Sequence, residues 1–395
     1  MNSVTQVINE AHLSANSTLG KCTEIEVYGE PLNPSINYSS AYAFKTIEEL
    51  GAYHENKFDS VRYTRDSSLI VRQLEHYFGL MHSDHSALMF NSGMGAISAC
   101  FSALVTSKSR IVTFGSFYRK SLSIFLSYQK NFGIEYINVL GLEELENLNS
   151  KDTIVLIESP SNPFLELVDI KAVRSALPDA TIILDTTFQG LLNSKSGYQG
   201  IDIVLGSCTK YIGGHNDLLA GYVVCQNKSL YSKVWDERSM RGGIIDNQSA
   251  YLLLRSLRTY DLRVNKTLDN MSHVLKFLAD SSVVESIYYP GQYENAAQSG
   301  LFESEHYHGG GVVTFRVSKN VTLNQNLETL CSTKMAPSFG AVDSLVEIPM
   351  YMSHWGKSLD EVKKLGLDER TVRFSVGNEP IQYILNDLVK LLKIK

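Results

Sequence analysis

Five short apolar runs, separated by helix-like segments, constrain the fold of this 395-residue chain more than any other feature. Each run has the length and the branched side chains of a buried β-strand. The runs span residues 87–90, 111–114, 153–157, 181–184 and 202–205. Strands that alternate with helices predict an α/β fold with a mainly parallel sheet covered on both faces. Ligands of such sheets bind at the carboxyl ends of the strands, so polar residues just after the runs are site candidates.

The remaining segments predict an arm before this sheet and a smaller domain after it. Residues up to about 60 are rich in Asn, Ser and Tyr and show weak periodicity. A helix is predicted over 67–78, and one long helix or two over 247–278. Strands are predicted over 311–317 and 371–376, followed by a closing helix over 381–392. We therefore predict an N-terminal arm at 1–65, a large domain at 66–260 and a C-terminal domain at 261–395.

Charge, hydropathy and cysteine spacing exclude several classes of protein. The net charge of −6 argues against a nucleic-acid-binding protein, which needs a basic excess. No apolar run approaches the ~20 residues of a membrane span, and residues 1–18 lack the pattern of a signal peptide. Five cysteines without CxxC spacing indicate neither disulfides nor a metal site. We expect reduced thiols in a cytoplasmic protein.

A lysine among small residues follows the last of the five runs. Lys210 lies between Ser207-x-Thr209 and a Gly-Gly pair. A lysine becomes a nucleophile only when burial or a nearby cation makes its amine neutral. Taken alone, the pattern also fits an exposed loop lysine beside a helix cap. Asp185 ends the run 181–184 and either caps a turn or keeps a pyridine nitrogen protonated. Together, Lys210 and Asp185 predict a site for pyridoxal 5′-phosphate.

Two further turns follow predicted strands. The segment that contains Gly93 and Met94 opens a helix, where free amides and small residues favour an anion such as phosphate. A tight turn with close helix packing is the alternative. Asn162 stands in a turn with two prolines, which are conformationally rigid. Its amide would face a ring hydroxyl or a substrate carboxylate, unless the segment is a plain proline turn.

Two arginines have patterns that suggest anion binding. Tyr63 and Arg65 alternate in an extended segment, which puts both side chains on one side to clamp a phosphate. A solvated surface pair is the alternative. Arg373 lies inside an apolar strand, where a charge needs a partner. That partner is either a substrate carboxylate or an acid such as Glu379 or Asp343.

In this order the segments resemble the cysteine/methionine-metabolism family of pyridoxal-phosphate enzymes. The family includes cystathionine γ-synthase, the cystathionine lyases, methionine γ-lyase and the O-acylhomoserine sulfhydrylases. Its most specific match here is Ser-x-Thr-Lys210-Tyr followed by Gly-Gly-His215-x-Asp217. The resemblance covers nearly the whole chain and includes Arg255-Ser-Leu-Arg-Thr and Ser338-Phe-Gly. It implies the type I, aspartate-aminotransferase-like fold, with a mainly parallel seven-stranded sheet and a smaller α+β domain.

The resemblance also implies roles for the site residues. Lys210 would be the Schiff-base lysine and Asp185 the partner of the pyridine nitrogen. The phosphate would be bound by Gly93, Met94, Ser207 and Thr209 of one subunit and by Tyr63 and Arg65 of its neighbour. The substrate carboxylate would be held by Asn162, Ser338 and Arg373. A site shared in this way implies a homo-oligomer, and the 1–65 arm would contact the neighbouring subunit.

The chain departs from the family pattern at several positions. Phe114 in Phe-Gly-Ser stands where the family usually has a tyrosine that stacks on the cofactor and assists proton transfer. Phe114 would therefore stack without donating a proton, and Tyr118 fits another position of the motif. Pro337 precedes Ser338 where some members have Glu, and Thr186 follows Asp185 where Asn is usual. Ser67-Ser68 replaces Asn-Pro after the Tyr-x-Arg motif.

The resemblance implies elimination or replacement at Cγ of an L-amino acid such as cystathionine or an O-acylhomoserine. An acyl leaving group needs little acid assistance, which would be compatible with Phe114. Cystathionine β-lyase-like β-elimination is the first alternative. The second is a specialised γ-replacement enzyme with a non-standard substrate. A non-catalytic descendant of the fold would belong to a different class, and the intact Lys210 and Asp185 argue against it.

Overall fold

The computed structural model describes residues 3–4, 6–7, 32–55, 57–58, 60–83, 85–292, 296–356 and 358–393. The predicted arm is therefore described only in part, and Cys22 and most of the 1–18 segment lie outside the described residues. Helix α1 spans Ile47–Glu55. An isolated antiparallel bridge joins Ala41 to Tyr63.

A seven-stranded sheet forms the centre of the fold. Its strands are β1 Ser86–Phe90, β2 Arg110–Phe114, β3 Glu135–Val139, β4 Thr153–Glu158, β5 Thr181–Asp185, β6 Ile203–Ser207 and β7 Gly221–Cys225. Their spatial order is β1-β7-β6-β5-β4-β2-β3. Only β7 runs antiparallel to its neighbours β1 and β6. The mainly parallel sheet predicted from the alternating runs is therefore confirmed.

Both faces of this sheet are buried. The helices that precede, connect and follow its strands are α2 Leu69–Met81, α3 Gly93–Leu104, α4 Arg119–Phe132, α5 Leu142–Glu146, α6 Ile170–Ala176 and α7 Lys228–Arg241. Side chains alternate between faces along a strand, so Val112 and Phe114 pack in one core while Ile111 packs in the other. Strands that are apolar on both faces explain the continuous runs in the sequence.

A second sheet of five strands follows in the chain. Its strands are β8 Val284–Tyr288, β9 Val312–Val317, β10 Lys334–Met335, β11 Leu345–Glu347 and β12 Thr371–Ser375, in the order β10-β11-β12-β9-β8. The remaining helices are α8 Asn247–Leu257, α9 Tyr260–Ala279, α10 Ala296–Glu305, α11 Leu323–Leu327, α12 Leu359–Lys364 and α13 Ile381–Leu391. The stretch predicted as one helix or two is two, α8 and α9. They lead from the first sheet to the second.

The predicted boundary at residue 260 falls at the start of α9. The division into arm, large domain and C-terminal domain stays a prediction. Within the described residues, every helix is too short or too polar to span a bilayer.

Candidate active site

A cavity of about 760 Å³ opens at the carboxyl ends of β4, β5 and β6. The N-terminus of α3 lies on one side of it, and residues of the second sheet lie on the other. Nine of the predicted site residues line this cavity: Gly93, Met94, Asn162, Asp185, Ser207, Thr209, Lys210, Ser338 and Arg373. The parallel sheet brings most of them together because its strands end at a common edge.

Lys210 projects into this cavity from the loop after β6. Its Nζ donates a hydrogen bond of 2.9 Å to Ser338 Oγ and lies 5.2 Å from the centre of the Phe339 ring. Burial lowers the pKa of Lys210 to about 8, with a further lowering from Arg373 that Glu347 opposes. The amine is therefore neutral at a lower pH than an ordinary lysine, as a nucleophile or a proton carrier requires.

The backbone of the lysine loop is held from α9. Arg263 donates hydrogen bonds to the carbonyl oxygens of Tyr211, at 2.8 Å, and Ile212, at 3.0 Å. Gly214 has a φ of +68°, and a Cβ at this position would overlap the Arg263 guanidinium. Only glycine therefore permits this close approach, and Arg263 fixes the loop that carries the lysine.

Two buried carboxylates lie side by side at the ends of β4 and β5. Glu158 and Asp185 are paired in the strand register. Burial raises the pKa of Asp185 to about 6, although the Thr187 hydroxyl and amide both donate to it. Burial and the neighbouring Asp185 raise the pKa of Glu158 well above its usual range. This end of the cavity therefore favours a cation or a proton.

The N-terminus of α3 has the features of an anion site. Ser92 caps α3 by accepting a hydrogen bond from Gly95 N at 3.0 Å, which leaves the preceding amides of Gly93 and Met94 at the cavity. A Cβ on Gly93 would come within 2.9 Å of Ser207 Cβ. The backbone at Gly93 therefore lies against Ser207, and a helix start with small neighbours suits a phosphate.

Arg373 on β12 lies at the wall formed by the second sheet. Its guanidinium donates to Asn162 Oδ1 and to the Ser338 carbonyl, both at 3.2 Å. It also forms a buried ion pair with Glu347 on β11. The acid that pairs with Arg373 is therefore neither Glu379 nor Asp343, the two candidates considered from the sequence. Glu379 instead accepts hydrogen bonds from Ser344.

Comparison with known proteins identifies the family. The family model "Cys/Met metabolism PLP-dependent enzyme" matches residues 24–393. The chain belongs to this family. The resemblance noted from the sequence is thus confirmed, as are an enzyme of this class and pyridoxal 5′-phosphate as its cofactor. The residues around the cavity fit that group, since the anion site at Gly93, the carboxylate of Asp185 and the amine of Lys210 all line the same cavity.

The relatives described here are 26% to 32% identical to this chain over the aligned residues. Cystathionine gamma-synthase 1, chloroplastic, of Arabidopsis thaliana is 32% identical over 368 residues, which are 91% of this chain and 65% of that protein. L-methionine gamma-lyase of Fusobacterium nucleatum subsp. polymorphum is 30% identical over 374 residues, 92% and 93% of the two chains. The crystal structure of cystathionine gamma-lyase from Lactobacillus plantarum complexed with L-serine superposes with a TM-score of 0.85 at 26% identity, covering 99% and 98%. The predicted type I pyridoxal-phosphate fold is confirmed.

Phe114 is not among the residues that line the cavity. It ends β2 and belongs to the same core cluster as Val112, a cluster that also contains the wall residues Phe188 and Phe339. The alternation of side chains along the strand turns it to this face, opposite Ile111. The expected stacking of Phe114 on the cofactor ring stays a prediction.

Tyr118 lines the cavity instead. It precedes α4, and its backbone amide donates a 2.6 Å hydrogen bond to Glu158 Oε1. Burial, reinforced by the charge of Glu158, raises the pKa of the Tyr118 phenol, so the hydroxyl keeps its proton at neutral pH. Sequence reasoning assigned Tyr118 to another position. Tyr118 lies between the end of a strand and the start of an amphipathic helix, and this position is the sequence signal that could have identified it as a site residue.

Tyr63 and Arg65 do not line the cavity of their own chain. Both side chains are exposed, and the Arg65 guanidinium lies 5.6 Å from the centre of the Tyr63 ring. Their predicted contact with a neighbouring subunit's cofactor stays a proposal.

Two aromatic residues of the wall were not assigned a role from the sequence. Phe339 stacks on Phe188 with ring centres 4.0 Å apart, beneath Lys210 and Arg373. Phe339 lies in the Ser338-Phe-Gly motif, whereas the sequence signal for Phe188 is its position three residues after Asp185.

Proposed function

We propose that this enzyme catalyses elimination or replacement at Cγ of an L-amino acid such as cystathionine or an O-acylhomoserine. The observation that carries the proposal is the common cavity of Lys210, Asp185 and Arg373. The names of the Arabidopsis, Fusobacterium and Lactobacillus relatives, all γ-synthases or γ-lyases, support γ-chemistry, while a cystathionine beta-lyase of Lactococcus lactis, 27% identical over 359 residues, keeps β-chemistry as the alternative.

Lys210 binds the cofactor and moves protons in this proposal. When bound, the cofactor supplies a ring that takes up the electrons left on the substrate when its Cα proton is removed. Lys210 Nζ removes that proton and then transfers protons to and from the neighbouring carbons. Its pKa of about 8 suits both directions of transfer near neutral pH. Its hydrogen bond to Ser338 Oγ orients the amine toward the substrate side.

Residues at the two ends of the cavity bind the two ends of the cofactor. Asp185 keeps the ring nitrogen protonated, and Thr187 orients the Asp185 carboxylate through two hydrogen bonds. The amides of Gly93 and Met94, with the hydroxyls of Ser207 and Thr209, bind the phosphate. Thr209 is itself fixed, because its Oγ1 accepts a 3.1 Å hydrogen bond from the Ala220 amide.

The substrate binds between these residues and the second sheet. Arg373, Asn162 and Ser338 hold its α-carboxylate. Tyr118 provides the aromatic ring at the cofactor and a phenol proton for the leaving group, the two properties of the family's tyrosine, of which Phe114 keeps only the ring. Because the Tyr118 phenol stays protonated at neutral pH, it is a hydrogen-bond donor at that position.

The proposal is tested by identifying the oxo acid that the purified, cofactor-loaded protein releases from L-cystathionine. We expect 2-oxobutanoate, the product of γ-elimination. Pyruvate would mean β-elimination and would contradict the proposal. If cystathionine gives neither acid, turnover of an O-acylhomoserine with a thiol distinguishes γ-replacement, which agrees with the proposal, from an enzyme of another specificity.

We also propose a cytoplasmic homo-oligomer with sites shared between subunits. The exposed Tyr63 and Arg65 support this assembly, because they lie outside the cavity of their own chain. Their ring and guanidinium would complete the phosphate site of the neighbouring subunit. The choice between dimer and tetramer is measurable by analytical ultracentrifugation of the cofactor-loaded protein.

A further inference from the structure

The arginine proposed to hold the substrate carboxylate already faces a carboxylate of its own chain. Glu347 on β11 and Arg373 on β12 are directly opposite each other in the strand register. Their side chains form an ion pair, and both residues are buried, with 1% and 5% of their surface exposed. Both also line the cavity. The pair therefore belongs to the cavity wall and not to a separate part of the core.

The contacts of Arg373 leave little of its guanidinium unused. One terminal nitrogen donates to Asn162 Oδ1, and the other donates to the Ser338 carbonyl and pairs with Glu347. An arginine binds a carboxylate best through two parallel N–H groups. A carboxylate that arrives from the cavity must therefore share these donors with Glu347 or displace it.

Both oxygens of the Glu347 carboxylate have a partner. Its Oε1 accepts a 3.0 Å hydrogen bond from the Ser353 amide, and its buried Oε2 contacts the Arg373 guanidinium. A buried carboxylate beside the substrate position repels a second carboxylate, and the low dielectric of a buried site strengthens that repulsion.

We propose that Glu347 is a specificity-determining residue that competes with the substrate carboxylate for Arg373. The proposal rests on the function proposed above, in which Arg373 binds that carboxylate. Glu347 lowers the affinity of the site for any monocarboxylate, including the oxo acid formed by elimination. It therefore promotes release of that product and makes substrate binding depend on groups other than the carboxylate.

The test is the variant Glu347→Gln in the cofactor-loaded protein. Glutamine keeps the size of the side chain and an acceptor for the Ser353 amide, but it removes the charge. We expect the inhibition constant of butanoate, a four-carbon acid without an amino group, to fall about tenfold or more, because a like charge close to the ligand is removed. The KM for the amino acid should fall as well, with kcat changed by less than about threefold.

If Glu347 competes with the substrate, carboxylate affinity should rise in Glu347→Gln even though Tm falls, because loss of half of a buried ion pair destabilises a protein. If Glu347 has only a structural role, carboxylate affinity should fall together with Tm. If affinity falls together with Tm, or does not change, the inference is wrong. Glu347→Thr, a smaller neutral residue suited to a strand, repeats the measurement if the glutamine variant does not fold.

Two controls separate this inference from the proposed function. Asp343→Asn removes a charge from the partly exposed Asp343, which pairs with Lys334, and should leave butanoate inhibition unchanged. Arg373→Lys should weaken butanoate binding, because lysine lacks the planar pair of donors. If Arg373→Lys has no effect, the carboxylate role of Arg373 fails. If only Glu347→Gln has no effect, the competition fails and the proposed function stands.

Discussion

The cavity has a cofactor half around Lys210 and Asp185 and a substrate half around Arg373, and the two halves differ in how their buried charges are compensated. In the cofactor half, two carboxylates, Glu158 and Asp185, lie together and their pKa values rise. In the substrate half, the Glu347 carboxylate and the Arg373 guanidinium form an ion pair with each other. The first half is complementary to a cation, such as a protonated ring nitrogen. In the substrate half the charges of the protein already compensate each other. A carboxylate ligand must therefore replace an existing contact of Arg373.

The halves also differ in how their residues are arranged along the chain. The cofactor half is built from turns that each follow one strand, such as the loop of Lys210 after β6 and the start of α3 after β1. The substrate half joins positions that are far apart, for example Asn162 with Arg373 and Lys210 with Ser338. A substitution in the first half therefore affects one local turn, whereas a substitution in the second half affects several segments.

The largest effect in the cofactor half is expected from the variant Lys210→Ala. We expect a loss of kcat of about 10⁴-fold or more, because the variant lacks both the amine that binds the cofactor and the base that moves protons. Lys171→Ala, at an exposed lysine paired with Glu305, is the matched control and should retain full activity. Turnover close to wild type in Lys210→Ala would contradict the assignment of this half of the cavity.

Tyr118 and Phe114 give the next largest effect. Tyr118→Phe should lower kcat about 100-fold, the size expected for loss of one acid–base group. Phe114→Leu should change kcat by less than about threefold, since Phe114 packs in the core, and should instead destabilise the fold by about 1 kcal/mol or more. Steady-state kinetics and urea unfolding of both variants measure the contrast. The reverse result would return the catalytic position to Phe114.

Sharing of the phosphate site between subunits is testable by complementation. Arg65→Ala should weaken cofactor binding by about tenfold to 100-fold, because a charge-assisted, bidentate contact to phosphate is lost. Co-expression of Arg65→Ala with Lys210→Ala should restore part of the activity, because one mixed site then has both intact residues. No restoration in isolated mixed oligomers would show that Arg65 does not act across the interface.

The smallest expected effect is on the pH dependence of cofactor attachment. Only the neutral amine attacks the cofactor, and burial lowers the pKa of Lys210 to about 8. The attachment rate in cofactor-free protein should therefore rise about tenfold per pH unit below that value and level off above it. Stopped-flow absorbance of the bound cofactor measures the rate. A rate that continues to rise to pH 10 would indicate an ordinary lysine.

Sequence reasoning brought residues of both halves to the cavity but did not predict the acid that pairs with Arg373, and the reason is physical. The Lys210 loop, Asp185 and the Gly93 turn follow strands of a parallel sheet, and the fold class alone brings such positions to one edge. The Glu347–Arg373 pair depends on the register of β11 and β12, which no local pattern specifies. At Phe114 a short motif match predicts the cofactor contact, and the alternation of side chains along β2 places that residue in a core cluster with the wall residues Phe188 and Phe339, so the contact stays a prediction.

The hydrogen bonds from Arg263 to the lysine loop have a consequence for heat inactivation. Because α9 holds the carbonyls of Tyr211 and Ile212, the loop loses its conformational freedom when the protein folds and not when a ligand binds. The loop then has no separate melting step at lower temperature. Loss of activity on heating should coincide with loss of the helical circular dichroism signal. We therefore expect this enzyme to lose its activity only when the whole protein unfolds.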